Sequence, residues 1–154
     1  MQRNSAAFAI LVGGLIAGTL DLTYAIVFSW FHGHAPISIM QSVASGLLGN
    51  AAYEGGPGTA VLGVLLHYFI MFCAAAVFVL ASRRFQFLAR RPIVSGMVFG
   101  LCMYVVMTQV VLPLSAFPFP QKFPPDLGLL IANLLAHMFL VGVPISLASK
   151  RAQV

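Results

Sequence analysis

The chain has 154 residues, of which 60% are hydrophobic and only 7% charged, against about 25% charged in an ordinary soluble domain. Eight Lys/Arg, three Asp/Glu and four His cannot cover the outside of a water-facing fold of this length, so a soluble globular domain is excluded and hydrocarbon becomes the expected solvent. The net charge of +5 does not point to nucleic acid, which needs basic residues clustered on a water-exposed face; here they lie at the ends of apolar runs.

Taken in chain order, four runs are long enough to cross about 30 Å of hydrocarbon at about 1.5 Å per residue: 6–31, 58–81, 92–114 and 126–148. The first follows Arg3 and far exceeds the roughly 7 to 15 apolar residues of a secretory signal, so it is expected to stay attached as a membrane helix. It carries Gly14 and Gly18, and the third run carries Gly96 and Gly100; small residues four apart let helix backbones approach closely in lipid. Between the first and second runs, 36–50 places Ile37, Met40, Ala44, Leu47 and Leu48 on one helical face and Ser38, Gln41, Ser42 and Ser45 on the other. That segment is too short to span, and is predicted as a helix lying in the outer interface or re-entering the bundle.

Arg83, Arg84, Arg90 and Arg91 fill the short link before the third run, and Pro92 suits the first turn of a helix. After the third run, Pro118, Pro120, Pro124 and Pro125 alternate with Phe117, Phe119 and Phe123. This segment cannot be helical and is predicted as an ordered cover in the interface. Asp126 suits the N-cap of the fourth helix. Arg3, the four link arginines, Lys150 and Arg151 fall on one side of a four-span layout and only Lys122 on the other, which predicts both termini in the cytoplasm. The fold expected is thus all-α, an integral membrane four-helix bundle with residues 1–154 forming one domain. Cys73 and Cys102 lie within apolar runs and are read as packing residues.

A short repeat is also visible. Each glycine pair is followed in the next run by a histidine in an apolar setting, Leu66-His67-Tyr68 in the second and Ala136-His137-Met138 in the fourth. Such a parallel repeat would make His67 and His137 equivalents about an axis along the membrane normal.

Ionisable residues inside spans are costly, by about 3 kcal/mol on insertion scales, so each needs a partner or a purpose. The candidates are Asp21, His67 and His137, with Thr108, Gln109 and Asn133. By helical rise Asp21, His67, Gln109, Asn133 and His137 share a layer roughly 9 to 16 Å from the outer boundary, which predicts one polar cluster in the outer half of the bundle. Three roles suit it. It can hold the helices together through hydrogen bonds. It can pass protons or a small solute, since histidine titrates near neutrality and low dielectric disfavours a charged carboxyl. Or His67 and His137 can bind a cofactor, as haem ligands or, with Asp21, as a metal-binding set, although no ligand-spacing motif accompanies them. His32 and His34 beside Trp30 are expected at the headgroups.

No nucleophile elbow, Cys-x-x-Cys or phosphate-binding glycine loop is present, so the expectation is a protein that is not an enzyme and needs no cofactor. Expected partners are membrane lipids and either a second copy or another membrane protein. At Ala44-Ser45-Gly46-Leu47-Leu48-Gly49, Tyr53-Glu54-Gly55-Gly56, Leu66-His67-Tyr68 and Val111-Leu112-Pro113-Leu114-Ser115-Ala116 the chain resembles a widespread group of small uncharacterised four-helix bacterial inner-membrane proteins. That resemblance implies a location and a fold and carries no activity. In its layout, with histidines on the second and fourth spans, it is also similar to a bacterial inner-membrane family associated with acid resistance, which implies a link to proton handling and assigns no residue.

Overall fold

The computed structural model describes residues 2–119 and 126–152, with side chains from Ala6 onward. The side chain of Arg3, and Pro120, Lys122, Phe123, Pro124 and Pro125, on which expectations above rest, lie outside that description. Four helices are long and apolar enough to cross a membrane: the first within Gln2–Phe31, the second Gly56–Arg84, the third Pro92–Leu114 and the fourth Leu127–Arg151. Pro57 and Pro92 stand in first turns, where a missing N–H costs nothing. Asp126 caps the fourth helix, its side chain accepting from the Leu129 N–H at 2.8 Å. The arginine link is short, with a single turn of helix at Phe87–Arg90.

The first helix packs against the second and the fourth, and the third packs against the fourth. The second and third helices meet through the rings of Phe78 and Phe99, centroids 5.0 Å apart. At the arginine-bearing end the core is built from Ala17, Met71, Ala74, Ala75, Phe78, Val141 and Ile145. Three of these seven are alanines, whose small side chains allow the close backbone approach and van der Waals contact by which apolar helices associate. Val77, Leu80, Val94, Val98 and Leu135 face outward, where a soluble fold would carry charge. Cys73 and Cys102 are also exposed and free, so their place is the outer surface and not the packing between helices.

Ser82 and Ser149, both fully buried, join the second and fourth helices at 2.7 Å, and Ser146 donates to the Pro92 carbonyl of the third helix. Ser149→Ala is expected to lower the unfolding free energy by about 1 kcal/mol. Combined with Ser82→Ala in a double-mutant cycle, the coupling should be about 0.6 kcal/mol, the usual size for bonds between membrane helices. Unfolding in mixed detergent micelles would measure it, and strictly additive losses would mean that the two hydroxyls act separately.

Two departures from regular helix matter for the site. The third helix contains a π-helical segment at Met107–Val111, where Leu112 N–H reaches back to Met107 O, and the fourth contains one at His137–Gly142, where Val143 N–H reaches Met138 O. Each ends within two residues of a proline, Pro113 and Pro144. A proline ring presses on the carbonyl four residues back and offers it no hydrogen; a wider turn ahead of the ring relieves the clash and re-pairs the backbone.

Candidate functional site

The loop helix, Pro36–Leu48, continues through a 3-10 turn at Gly49–Tyr53. Gly33 at φ 82° reverses the chain before it and Gly49 at φ 58° ends it, a backbone region that glycine enters without steric cost. Its buried side straddles the apolar and polar faces read from the sequence. Gln41, Ala44 and Ser45 are the buried residues, whereas Ile37, Leu47 and Leu48 are exposed, Leu47 by 63%. Gln41 Nε2 donates to Gly56 O at 3.1 Å and to Thr59 Oγ1 at 3.3 Å, and Thr59 Oγ1 donates to Ala52 O. The Met40 carbonyl presses onto Gly63, where an added Cβ would lie 2.7 Å from the Met40 carbonyl carbon. The far end is tied to the segment that follows the third helix by the Ala116 N–H to Gly46 O bond at 2.9 Å and by the rings of Tyr53 and Phe119.

The two glycine pairs face the two histidine-bearing helices, as the repeat suggests. A Cβ on Gly14 or Gly18 would strike the rings of Phe72 and Tyr68 on the second helix. This close approach exposes the Gly18 carbonyl to His67, whose Nε2 lies 2.9 Å from it, and lets Tyr68 and Thr19 share a hydrogen bond at 2.9 Å. On the other hairpin, Gly100 is pressed against the His137 carbonyl and Gly96 against Gly142. The histidines therefore occupy related positions with different bonding: His67 bridges two helices, while His137 Nδ1 bonds Asn133 O on its own helix at 2.9 Å. Symmetry about an axis is incomplete, because the first and fourth helices lie backbone to backbone at Gly13, Ile145 and Ala148, and the second and third do not.

The predicted layer is divided into two groups. One comprises His67, Gly18, Thr19 and Tyr68 between the first and second helices. The other joins the first, third and fourth: Tyr24 Oη donates to Asn133 Oδ1 at 3.4 Å, the ring of Tyr104 stands edge-on to His137 with centroids 5.3 Å apart, and Thr108 Oγ1 donates to Tyr104 O at 2.9 Å. Asp21 lies half-buried on the first helix, one turn from Gly18 and from Tyr24 and within electrostatic reach of the latter. Among the described residues it forms no ion pair or hydrogen bond with either histidine. Gln109 is exposed and, among the described residues, its side chain bonds only to Thr108, at 3.3 Å, so it stands outside both groups. Among the described residues no three His, Cys, Asp or Glu side chains are placed to hold a metal ion; Asp21, His67 and His137 do not form such a set. His32 is exposed and stacked on Phe28, with Nδ1 2.8 Å from the Phe28 carbonyl.

The tyrosines were not among the residues singled out from sequence, although each stands within about one helical turn of one that was: Tyr24 after Asp21, Tyr68 beside His67, Tyr104 before Thr108. Gly142 and Gly63 were missed too, since their meaning lies in a partner backbone. The signal for the π segments was two prolines inside apolar runs.

Four apolar helices with a few polar side chains buried between them make an architecture compatible with a multi-pass membrane protein. No family model, no curated protein and no solved structure matches the chain.

Proposed function

We propose that this is a multi-pass inner-membrane protein with both termini in the cytoplasm, non-enzymatic, in which Asp21 and the neighbouring Tyr24, Tyr104, Asn133 and His137, together the Asp21 group, pass protons or a small solute across the outer half of the bundle. The observation that carries this reading is the meeting of Tyr24, Tyr104, Asn133 and His137 from three helices beside a half-buried carboxyl, at the level where the third and fourth helices are both broken by π turns. Widened turns free carbonyls and shift register, and they recur at functional positions in helices. A carboxyl inside a span, unpaired with a cation, is costly unless it serves a purpose.

The loop helix belongs to the same reading as a re-entrant element. Ile37, Leu47 and Leu48 face outward while Gln41, Ala44 and Ser45 are buried, and Met40 meets the second helix at Gly63, about 10 Å along from Gly56 at about 1.5 Å per residue. In this reading lipid surrounds the helix at that depth, while Gln41, Ser45 and Thr59 line its inner side.

Purified protein in liposomes is expected to show pH-dependent proton or solute flux that Asp21→Asn abolishes. Flux equal to that of empty liposomes would sink the proposal. A second reading, an accessory subunit, is favoured by one observation: the third helix is the least buried of the four, and Gln109 presents its amide on the outside. Copurification with a specific membrane partner through that helix would support it in place of the first.

A further inference from the structure

The arginine link and the start of the third helix enclose a groove of about 560 Å³ that the transport reading does not use, within the roughly 300–1,000 Å³ of small-molecule sites. Arg90, Arg91 and Ser95 are its polar lining; Phe87, Val94 and Val98 are apolar. Both arginines are exposed, and among the described residues neither has an ion pair. The chain's three acidic residues, Asp21, Glu54 and Asp126, are remote from the link in sequence, and Glu54 and Asp126 begin helices that run toward the arginine end. Among the described residues, positive charge without a paired acid thus sits beside an apolar channel. The third helix also starts here, at Pro92, which places its positive dipole end at the arginine link.

We propose that this groove is a binding site for one anionic phospholipid, with the phosphodiester held by Arg90 and Arg91 and an acyl chain laid along Phe87, Val94 and Val98. The charge complementarity selects the headgroup. Guanidinium forks pair with phosphate oxygens through two parallel bonds, and valines along an exposed helix face match a hydrocarbon chain. The site rests on the membrane reading of the fold, and is independent of any flux through the Asp21 group.

The test is native mass spectrometry of the full chain in neutral detergent, titrated with phosphatidylglycerol or phosphatidylcholine of identical acyl chains. Phosphatidylglycerol should bind more tightly by roughly thirtyfold, about fivefold for each arginine near the headgroup. Arg90→Gln with Arg91→Gln should abolish the preference, while Arg83→Gln with Arg84→Gln, which removes the same charge from outside the groove, should preserve most of it. Val98→Trp, which fills the apolar part and keeps both arginines, should weaken binding of both lipids. Equal losses from the two arginine pairs would overturn the site in favour of diffuse attraction, and displacement by inorganic phosphate would replace it with a site for free anions. A chain that stays soluble and monodisperse without detergent would remove the membrane reading itself, an outcome distinct from failed lipid binding.

Discussion

Gly100→Ala is expected to separate the third helix from the fourth and to cost about 3 kcal/mol or more, the upper end of what overpacking usually costs. A methyl group there would overlap the His137 carbonyl oxygen and lie 2.6 Å from its carbon and 2.7 Å from Met138 Cα. All three are backbone atoms, and a flexible side chain is not available to yield. The helices must part along the whole contact, which also loosens Gly96 from Gly142, where a Cβ on Gly142 would lie 2.7 Å from Gly100 N. Against a total stability of about 5–15 kcal/mol the loss is large. It should appear as a lower denaturant midpoint in detergent together with a weakened tyrosine signal in near-ultraviolet circular dichroism, because Tyr104 leaves the His137 ring. Gly58→Ala is the control: nothing lies within 4 Å of its Cβ position, and alanine's better helix propensity should leave stability unchanged or raise it by up to about 1 kcal/mol. Equal midpoints for the two variants would show that the third and fourth helices are not packed backbone to backbone.

Gly63→Ala is expected to act locally. The new methyl group would collide with the Met40 carbonyl and approach Ala44 N to 3.3 Å, pushing the loop helix off the second helix and breaking the Gln41 bonds to Gly56 and Thr59. The four long helices pack on one another through other faces, so global stability should change less than in Gly100→Ala. A local cost of about 2 kcal/mol corresponds to roughly thirtyfold faster amide hydrogen exchange across Pro36–Leu48 when opening is local. Unchanged exchange there would contradict the seating of the loop helix on Gly63.

Much of the fold was legible because a long apolar run leaves its backbone few ways to be satisfied. A run of apolar residues long enough to span hydrocarbon must be helical to satisfy its own backbone, and the four runs at 6–31, 58–81, 92–114 and 126–148 correspond to the four long helices with ends shifted by a few residues. The N-cap at Asp126 and the first-turn prolines were readable for the same reason, since they answer to local backbone chemistry alone. The glycine pairs identified close-packing helices, and position along each run placed Asp21, His67, Thr108, Gln109, Asn133 and His137 in one half of the bundle.

Depth does not specify direction around a helix, and direction is where tertiary structure decided the site. Gln109 and Thr108 are neighbours in sequence; Thr108 turns inward while Gln109 turns out. His67 reached the Gly18 carbonyl in place of Asp21 because Gly18 lacks the side chain that would have hidden it. The amphipathic pattern of 36–50 correctly marked a helix but not which face is covered. The covered side straddles the two faces, taking in Ala44 together with Gln41 and Ser45, because Gly63 admits the Met40 backbone and Gln41 finds Gly56 and Thr59. Sequence by itself thus determined helix number, approximate length and the position of each polar group along its helix, quantities set by the apolar runs and by the chain's own backbone. Which polar groups meet, which glycine receives which backbone, and which side of the loop helix is buried depend on contacts between distant segments, and only the packed structure fixes those.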